Sequence, residues 1–454
     1  MSEMDAFFYP DSVAVVGASP TPGRVGYVMV ENLLNSPGVR VFPVNPRGGE
    51  MLGLKIYPSL KDIPQRVDLA MIAISANAIP EVIEDCAHAG IRAAIIHSPG
   101  FAEIGEEGKK LQQRVVDIAR RGGVRLVGPN TQGLINLDIG LPALTVPFFH
   151  YLAPRGPTSF IAHSGLFPWE FLLRHPHIGL NKMIDLGNAS DVEHAEVLNY
   201  FGNDPGTKAI ALHIEGLGEG RKLMEVASRL ARKKPVVALK SGCTPGGTKA
   251  AASHSGRLAG RDEVFEAAFK QTGIFRVKDM DDLCDYLLAL SCLPPVRGKR
   301  IGILTTSGAA GILAADACYE FGLELASLSE DTIRKVREKQ PDWVNLSNPM
   351  DIWQVLEEPL TSFATALDAV AREPAVDALA LMTHVLPYTP FDTLDILREF
   401  VRQGIPKPTA VWALGSDERL KELDKLSSQG LVHFPTIARA VRALAISYTF
   451  HQRT

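Results

Sequence analysis

Val13 to Leu33, VAVVGASPTPGRVGYVMVENL, passes from an apolar run through a turn with three glycines into a helical pattern. This strand–turn–helix order is the grammar of a nucleotide fold. Gly17, Gly23 and Gly26 would let the backbone approach a pyrophosphate closely. The spacing is not GxGxxG, so the glycines alone leave the ligand open. Around this unit, short apolar runs alternate with helical patterns along the whole chain. That alternation predicts an α/β architecture of parallel sheets with helices on both faces.

The runs fall into three sets, in keeping with about three domains for 454 residues. SVAVVGAS, RVFPVNP, DLAMIAIS, IRAAIIHS and VRLVGPN make the first set. TSFIAHSG, NKMIDLGN, KAIALHIEG and PVVALKSG make the second, and RIGILTTSG, DALALMTHV and PTAVWAL the third. LPALTVPFFHYLAPRGPT, with four prolines and no helical period, separates the first two, and CLPPVRGKR the last two. The expected domains are therefore 1–145, 146–296 and 297–454.

Composition narrows the class. A net charge of −4 gives no electrostatic case for nucleic acid, and no apolar run is long enough to cross a membrane. The five cysteines show no CxxC pairing, so neither a disulfide frame nor a metal knuckle is expected. With no signal-peptide pattern at the N-terminus, a cytoplasmic protein is the plain reading.

The second strand end discriminates among nucleotide ligands. A nicotinamide-dinucleotide site usually ends that strand with an acid that accepts from the ribose 2′-hydroxyl. Here the end is Asn45-Pro46-Arg47, and a cation favours a phosphorylated adenosine such as coenzyme A or NADP. Arg47 is equally readable as a solvated surface cation. Ser75 and Asn130 end further strands on the same expected edge, although Asn130 also suits a turn.

Two segments echo each other. FIAHSGLF and GILTTSGAA are each a buried strand, then Ser-Gly, then a helix start, later followed by GNASD and SNPMD. Domains two and three thus read as variants of one fold, with Ser164-Gly165 and Ser307-Gly308 where open sheets bind ligands. Amides at such helix starts suit a phosphate or carboxylate; simple helix capping is the alternative. The remaining stretch, KSGCTPGGTKAAASHSGRLAG (240–260), reads as a long soft loop carrying His254. An imidazole with a pKa near ~6.5 is largely neutral and nucleophilic at pH 7. Glu215, ending ALHIEG, is the candidate to fix its tautomer, or a carboxylate favoured by a helix start.

Taken together, VAVVGASPTPGRVGY, VFPVNP, GPNTQG, GNASDVEHAEVLNYF, DPGTKAIALHIEG and SHSGRLAG resemble the α subunit of ADP-forming (NDP-forming) acyl-CoA synthetases, relatives of succinyl-CoA synthetase. The resemblance runs over essentially the whole length. It implies a Rossmann-like CoA-binding domain followed by two flavodoxin-like parallel-sheet ligase domains. It implies that His254 is phosphorylated in turnover and that Glu215 orients it. Gly17, Ala18, Ser19, Gly23, Gly26, Asn45, Pro46, Arg47, Ser75 and Asn130 would hold coenzyme A. Ser164-Gly165 and Ser307-Gly308 would cradle phosphate, and no metal ligands are implied in this chain. The family's ATP-grasp domain is not found, so Mg-ADP or Mg-ATP would bind a partner β subunit in a hetero-oligomer. The small partner would be a carboxylic acid or its acyl-CoA.

The sequence departs from the family pattern at His163, usually Gln, at Leu166-Phe167-Pro168-Trp169, usually small, at Ser255 and at Arg257. Most of these flank the expected acyl-phosphate pocket and leave the acyl group open. His163 either adds a donor there or fills space. A non-catalytic CoA-binding regulator of the same fold is the alternative function. Retention of His254, Glu215 and both Ser-Gly turns counts against it. An NADP-dependent dehydrogenase lacks hydride-site residues and a use for two further domains.

Overall fold

The computed structural model describes residues 2–148, 154–255, 260–353, 358–388 and 392–453, with side chains described except at 252–255. The chain divides into two compact units, Met1–Leu283 and Cys284–Thr454.

In the first unit, β1 (Ser12–Val16) and β2 (Arg40–Val44) are followed by a small antiparallel hairpin, β3 (Gly49–Met51) and β4 (Leu54–Ile56). With β5 (Leu69–Ile72), β6 (Ala93–Ile96) and β7 (Arg125–Val127) they build a parallel sheet of order β2-β1-β5-β6-β7. Why these runs lack polar alternation is plain from the packing. Val13, Val15, Leu69 and Met71 enter the core on one face, while Ala14, Val16, Ala70 and Ile72 enter a second core on the other. Strands buried on both faces must be apolar throughout. Each fully buried aliphatic side chain adds roughly 1.5–3 kcal/mol.

The second sheet holds β8 (Gly133–Asn136), β9 (Leu141–Leu144), β10 (Arg155–Ala162), β11 (Leu180–Asp185), β12 (Ala209–Ile214), β13 (Val236–Lys240) and β14 (Phe275–Val277). Its order is β14-β13-β12-β10-β11-β8-β9. The expected boundary at residue 145 thus falls beyond a hairpin, β8–β9, that pairs antiparallel with β11. Part of the proline-rich linker is therefore strand. Pro142 is tolerated because β9 is the edge, where its missing N–H costs no ladder bond. The core under the first sheet continues into this one through Ile161, Ile184, Ile210 and Leu212.

The second unit carries β15 (Arg300–Thr305), β16 (Glu324–Leu325), β17 (Met350–Asp351), β18 (Ala378–Val385), β19 (Thr409–Gly415) and β20 (Leu431–His433). Its order is β16-β15-β18-β19-β20, with β17 pairing the end of β15. The expected boundary at 296 lies inside this unit. Buried Asp285, on the helix Met280–Ser291, is bridged by Arg439 and Arg442 of the helix Ile437–His451.

Stripped of hairpins and of the two-residue β17, all three parallel sheets share one connectivity: the first strand lies between the second and the third. Each has a switch point beside its first strand, where ligands bind outside the carboxyl ends. The echo between domains two and three is a repeated topology.

Candidate active site

In the first sheet the switch point lies between β1 and β5, where Val16 pairs with both Val44 and Ile72. Gly17 follows at φ +95°, and the Gly17 and Ala18 amides donate to the Val44 carbonyl at 3.0 and 3.2 Å. A Cβ on Gly17 would collide with the Ala73 carbonyl, and one on Gly26 with the Gly17 carbonyl. The helix Val25–Leu34 therefore starts pressed onto the glycine turn. Gly23, at φ +79°, has open space around it and serves the turn alone. The Asn45 side chain donates to the Ala18 carbonyl (2.8 Å) and accepts from the Arg47 amide (3.0 Å). Pro46, Arg47 and Ser75 are exposed at this edge. Asn130 sits at φ +61° in the turn that follows β7.

That turn belongs to a seam between the two sheets. The amides of Asn188 and Ser190, in the loop after β11, donate to the Pro129 and Gly128 carbonyls at 2.9 and 3.1 Å. Glu103 accepts from Asn188 Nδ2 (2.6 Å) and from the Gly100 and Phe101 amides (2.5 and 3.1 Å). Burial would raise the Glu103 carboxyl, but these donors hold it below the usual carboxylate range.

Along the second sheet, four strand ends meet at one edge. Ala162 pairs with Asp185 and Ile161 with Leu212, so Ser164 and Glu215 flank the switch point between β10 and β12. Ile214 pairs with Lys240 on the far side of β12. Glu215 is buried; its amide donates to His163 Nδ1 (3.3 Å), and its carbonyl accepts from Lys240 Nζ (2.9 Å). His163 thus takes a backbone hydrogen bond, and its ring packs at a tilt of 41° against His194, centres 4.3 Å apart. Buried Lys240 lies over the Phe265 ring at 4.9 Å, and desolvation pulls its pKa down. Asp185, missed in the sequence, accepts from the Gln132 and Gly187 amides at 2.7 and 3.1 Å. Burial pushes its carboxyl up to about 6 against those hydrogen bonds, with the Glu215 charge adding to the rise.

Gly165 precedes the helix Leu166–Arg174, and Ser164 Oγ accepts from the Leu166 amide at 3.4 Å. In the second unit Ser307 precedes the helix Gly308–Glu320, but its side chain makes no capping bond. Its turn is held instead by Thr305 Oγ1, which accepts from the Ser307 amide (3.0 Å) and donates to its carbonyl (2.7 Å). A Cβ on Gly308 would stand 3.0 Å from Asp351 of SNPMD, a carboxyl raised by desolvation. This start opens on a cavity of about 590 Å³ walled partly by Trp343 and Trp353.

The expected soft loop is largely a helix, Pro245–Ser255. Thr244 Oγ1 accepts from the Gly247 amide at 3.1 Å, and its carbonyl accepts from the Thr248 amide at 2.7 Å. A capping threonine, proline at the first helical position and an alanine run outweigh the two glycines. His254 falls in the last turn; its side chain, and Gly256–Ala259, lie outside the described residues. The helix packs near the turn Ala102–Ile104, which follows β6 of the first sheet.

A glycine-turn sheet followed by two sheets with Ser-Gly helix starts defines a CoA-ligase class. Three family models match in that order: a CoA binding domain over 11–136, a succinyl-CoA ligase like flavodoxin domain over 155–290 and a Ligase-CoA domain over 301–453. The α subunit of acetate–CoA ligase [ADP-forming] I from Pyrococcus furiosus is 36% identical, covering 98% of this chain and 97% of that one. Acetate–CoA ligase [ADP-forming] I from Archaeoglobus fulgidus is 37% identical over 98% of this chain, which spans only 63% of that relative's length. Among solved structures, the dinucleotide-forming acetyl-coenzyme A synthetase 1 of Ca. Korarchaeum cryptofilum, in complex with phosphate and ADP, superposes with a TM-score of 0.90. It is 32% identical, over 100% of this chain and 98% of that chain. The chain belongs to the ADP-forming acyl-CoA ligase family. No helix among the described residues is long and apolar enough to cross a membrane.

Proposed function

We propose that the chain is the α-type component of an NDP-forming acyl-CoA synthetase, interconverting acyl-CoA, ADP and phosphate with a carboxylic acid, CoA and ATP. The observation that carries this reading is the pairing of Glu215 and the Ser164-Gly165 helix start across one switch point, on neighbouring strands β12 and β10. Coenzyme A would lie along Gly17–Ser19, with Asn45 to Arg47 at its adenosine end and Ser75 beyond. Gly17 and Gly26 support this reading by letting the turn and the helix Val25–Leu34 pack tightly at the switch point.

Inorganic phosphate attacks the thioester carbonyl; the C–S bond breaks, CoA leaves and an acyl phosphate forms. Neutral His254 then attacks phosphorus, and the P–O bond to the acyl group breaks to release the carboxylate. Glu215 holds the imidazole in its nucleophilic tautomer and stabilises the charged product. Helix-start amides at Ser164-Gly165, and in this reading at Ser307-Gly308, offset the charge spread over the phosphoryl oxygens. The phosphoryl group passes from His254 to Mg-ADP on an ATP-grasp partner subunit in a hetero-oligomer. A cytoplasmic setting suits five cysteines that are all free.

The test is to mix the chain with an ATP-grasp partner, Mg²⁺ and γ-labelled ATP. Acid-labile, base-stable label should appear in the wild type and vanish in His254→Ala. Label that survives the substitution removes His254 from the mechanism. Tight CoA binding with no label in the wild type would instead favour a non-catalytic CoA-binding regulator.

A further inference from the structure

The segment that carries His254 leaves the second sheet after Lys240, the last residue of β13, and returns at Gly260, just before the helix Asp262–Thr272. Both ends converge on the side chain of Lys240, a residue only 5% exposed. At the departing end, Lys240 Nζ donates to the Ser241 carbonyl. Ser241 is held at its other polar atoms as well: its amide donates to the Ile214 carbonyl at 3.0 Å, and its Oγ lies 2.8 Å from His213 Nε2. At the returning end, the ammonium lies over the Phe265 ring at 4.9 Å. Gly260 sits at φ +68°, and a Cβ on it would stand 3.0 Å from Phe265 Cε2, so the backbone runs close along that ring. Buried Phe269 holds the ring in turn, edge-on at 5.9 Å between centres.

Lys240 has a third tie, to the Glu215 turn: its Nζ donates to the Glu215 carbonyl at 2.9 Å. Arg276 of β14 also links the two ends of the segment, pairing with Asp262 at 2.6 Å and donating to Cys243 Sγ at 3.4 Å. That link joins the ends to each other; Lys240 joins them to Glu215. A buried ammonium is costly unless its donors are met. Two carbonyls and a ring face meet them here. An apolar side chain of the same length would fill the space without that cost. What the lysine adds is direction: groups from three parts of the chain are held about one atom.

From this we infer that Lys240 is a positioning residue for phosphoryl transfer: it sets the base of the His254 segment against the Glu215 turn, so that the segment leaves the sheet in a fixed register with that carboxylate. The inference rests on the proposed function, but its test reads the anchor and the chemistry separately. Lys240→Met, Lys240→Arg and Phe265→Leu are made in the full chain. Methionine fills the space without donating, whereas arginine keeps the charge and the donors. Amide exchange is followed over residues 241–248 in each variant, and CoA is titrated calorimetrically as the control. Beside an ATP-grasp partner, with Mg²⁺ and γ-labelled ATP, the rate of label incorporation is measured, together with kcat and the KM for acyl-CoA.

In Lys240→Met, exchange over 241–248 should speed up about tenfold, as loss of hydrogen bonds from a charged donor does. Labelling rate and kcat should fall by about tenfold or more, because a small misplacement of reacting groups is enough. The KM for acyl-CoA and the affinity for CoA should not change. Lys240→Arg should recover part of both losses. Phe265→Leu leaves the lysine in place and removes the ring under it, and should give the same changes at a few-fold. Wild-type exchange in Lys240→Met, or faster exchange with wild-type kcat, would overturn the assignment. So would a loss of CoA affinity as large as the loss in kcat, since that marks a general structural defect. Faster exchange in Lys240→Met with no label even in the wild type would sink the proposed function alone, the clamp on the Glu215 turn standing without it.

Discussion

Two carboxylates stand at one sheet edge with a single strand between them, Asp185 ending β11 and Glu215 following β12. Asp185 is sealed in and held by two amides, and its carboxyl is raised to about 6, partly by Glu215. A raised folded-state pKa means the fold prefers the protonated form. Stability from this group is complete at low pH and is lost as pH climbs from the ordinary Asp range through about 6. Glu215→Gln removes one cause of the rise, so the fall should be smaller and end at lower pH; unfolding midpoints across pH 4–7 measure it. The same substitution should slow phosphoryl transfer to His254 while leaving CoA affinity intact. Unchanged turnover would exclude Glu215 from the chemistry. The place of Glu215 was legible from the sequence because an acid following a buried strand is conspicuous. Asp185 ends one, in NKMIDLGN, but its partners are the amides of Gln132 and Gly187, one of them from a distant segment.

Among elements, strands buried on both faces announced themselves, and those of the first set are all present. Elements that depend on position in a sheet did not. β9 reads as linker because it carries a proline that only an edge strand tolerates. The short β14, β16, β17 and β20 offer too few residues to show a period. The helix Pro245–Ser255 was hidden behind its glycines, although Thr244, Pro245 and the alanines are ordinary helix-start and helix-interior signals. Removing the cap tests whether this helix is marginal: Thr244→Ala should cost it about 1 kcal/mol. Amide exchange should speed up within 245–255 while the melting temperature of the whole protein barely moves. Uniform exchange rates in the variant would mean the cap contributes nothing.

At the scale of the molecule, the two compact units hold themselves together by different means. In the second, the buried Asp285 carboxylate takes bonds from Arg439 Nε (2.6 Å) and Arg442 Nη2 (2.8 Å), tying the entering helix to the last one. Asp285→Ala leaves two half-buried guanidinium groups without that acceptor and should destabilise the second unit by roughly 3 kcal/mol. Chemical denaturation followed separately in each unit should show the second melting early and the first unaffected; equal shifts in both would contradict that division. The first unit is joined by the β8–β9 hairpin, which continues the chain of one nucleotide-type sheet but completes the ladder of the next. A recombination event at residue 145 would hand a descendant a donor's edge on a recipient's sheet. Two sheets stitched in this way are inherited as a block, so under the proposed function a new acyl specificity would arise by point changes within that block and not by trading halves.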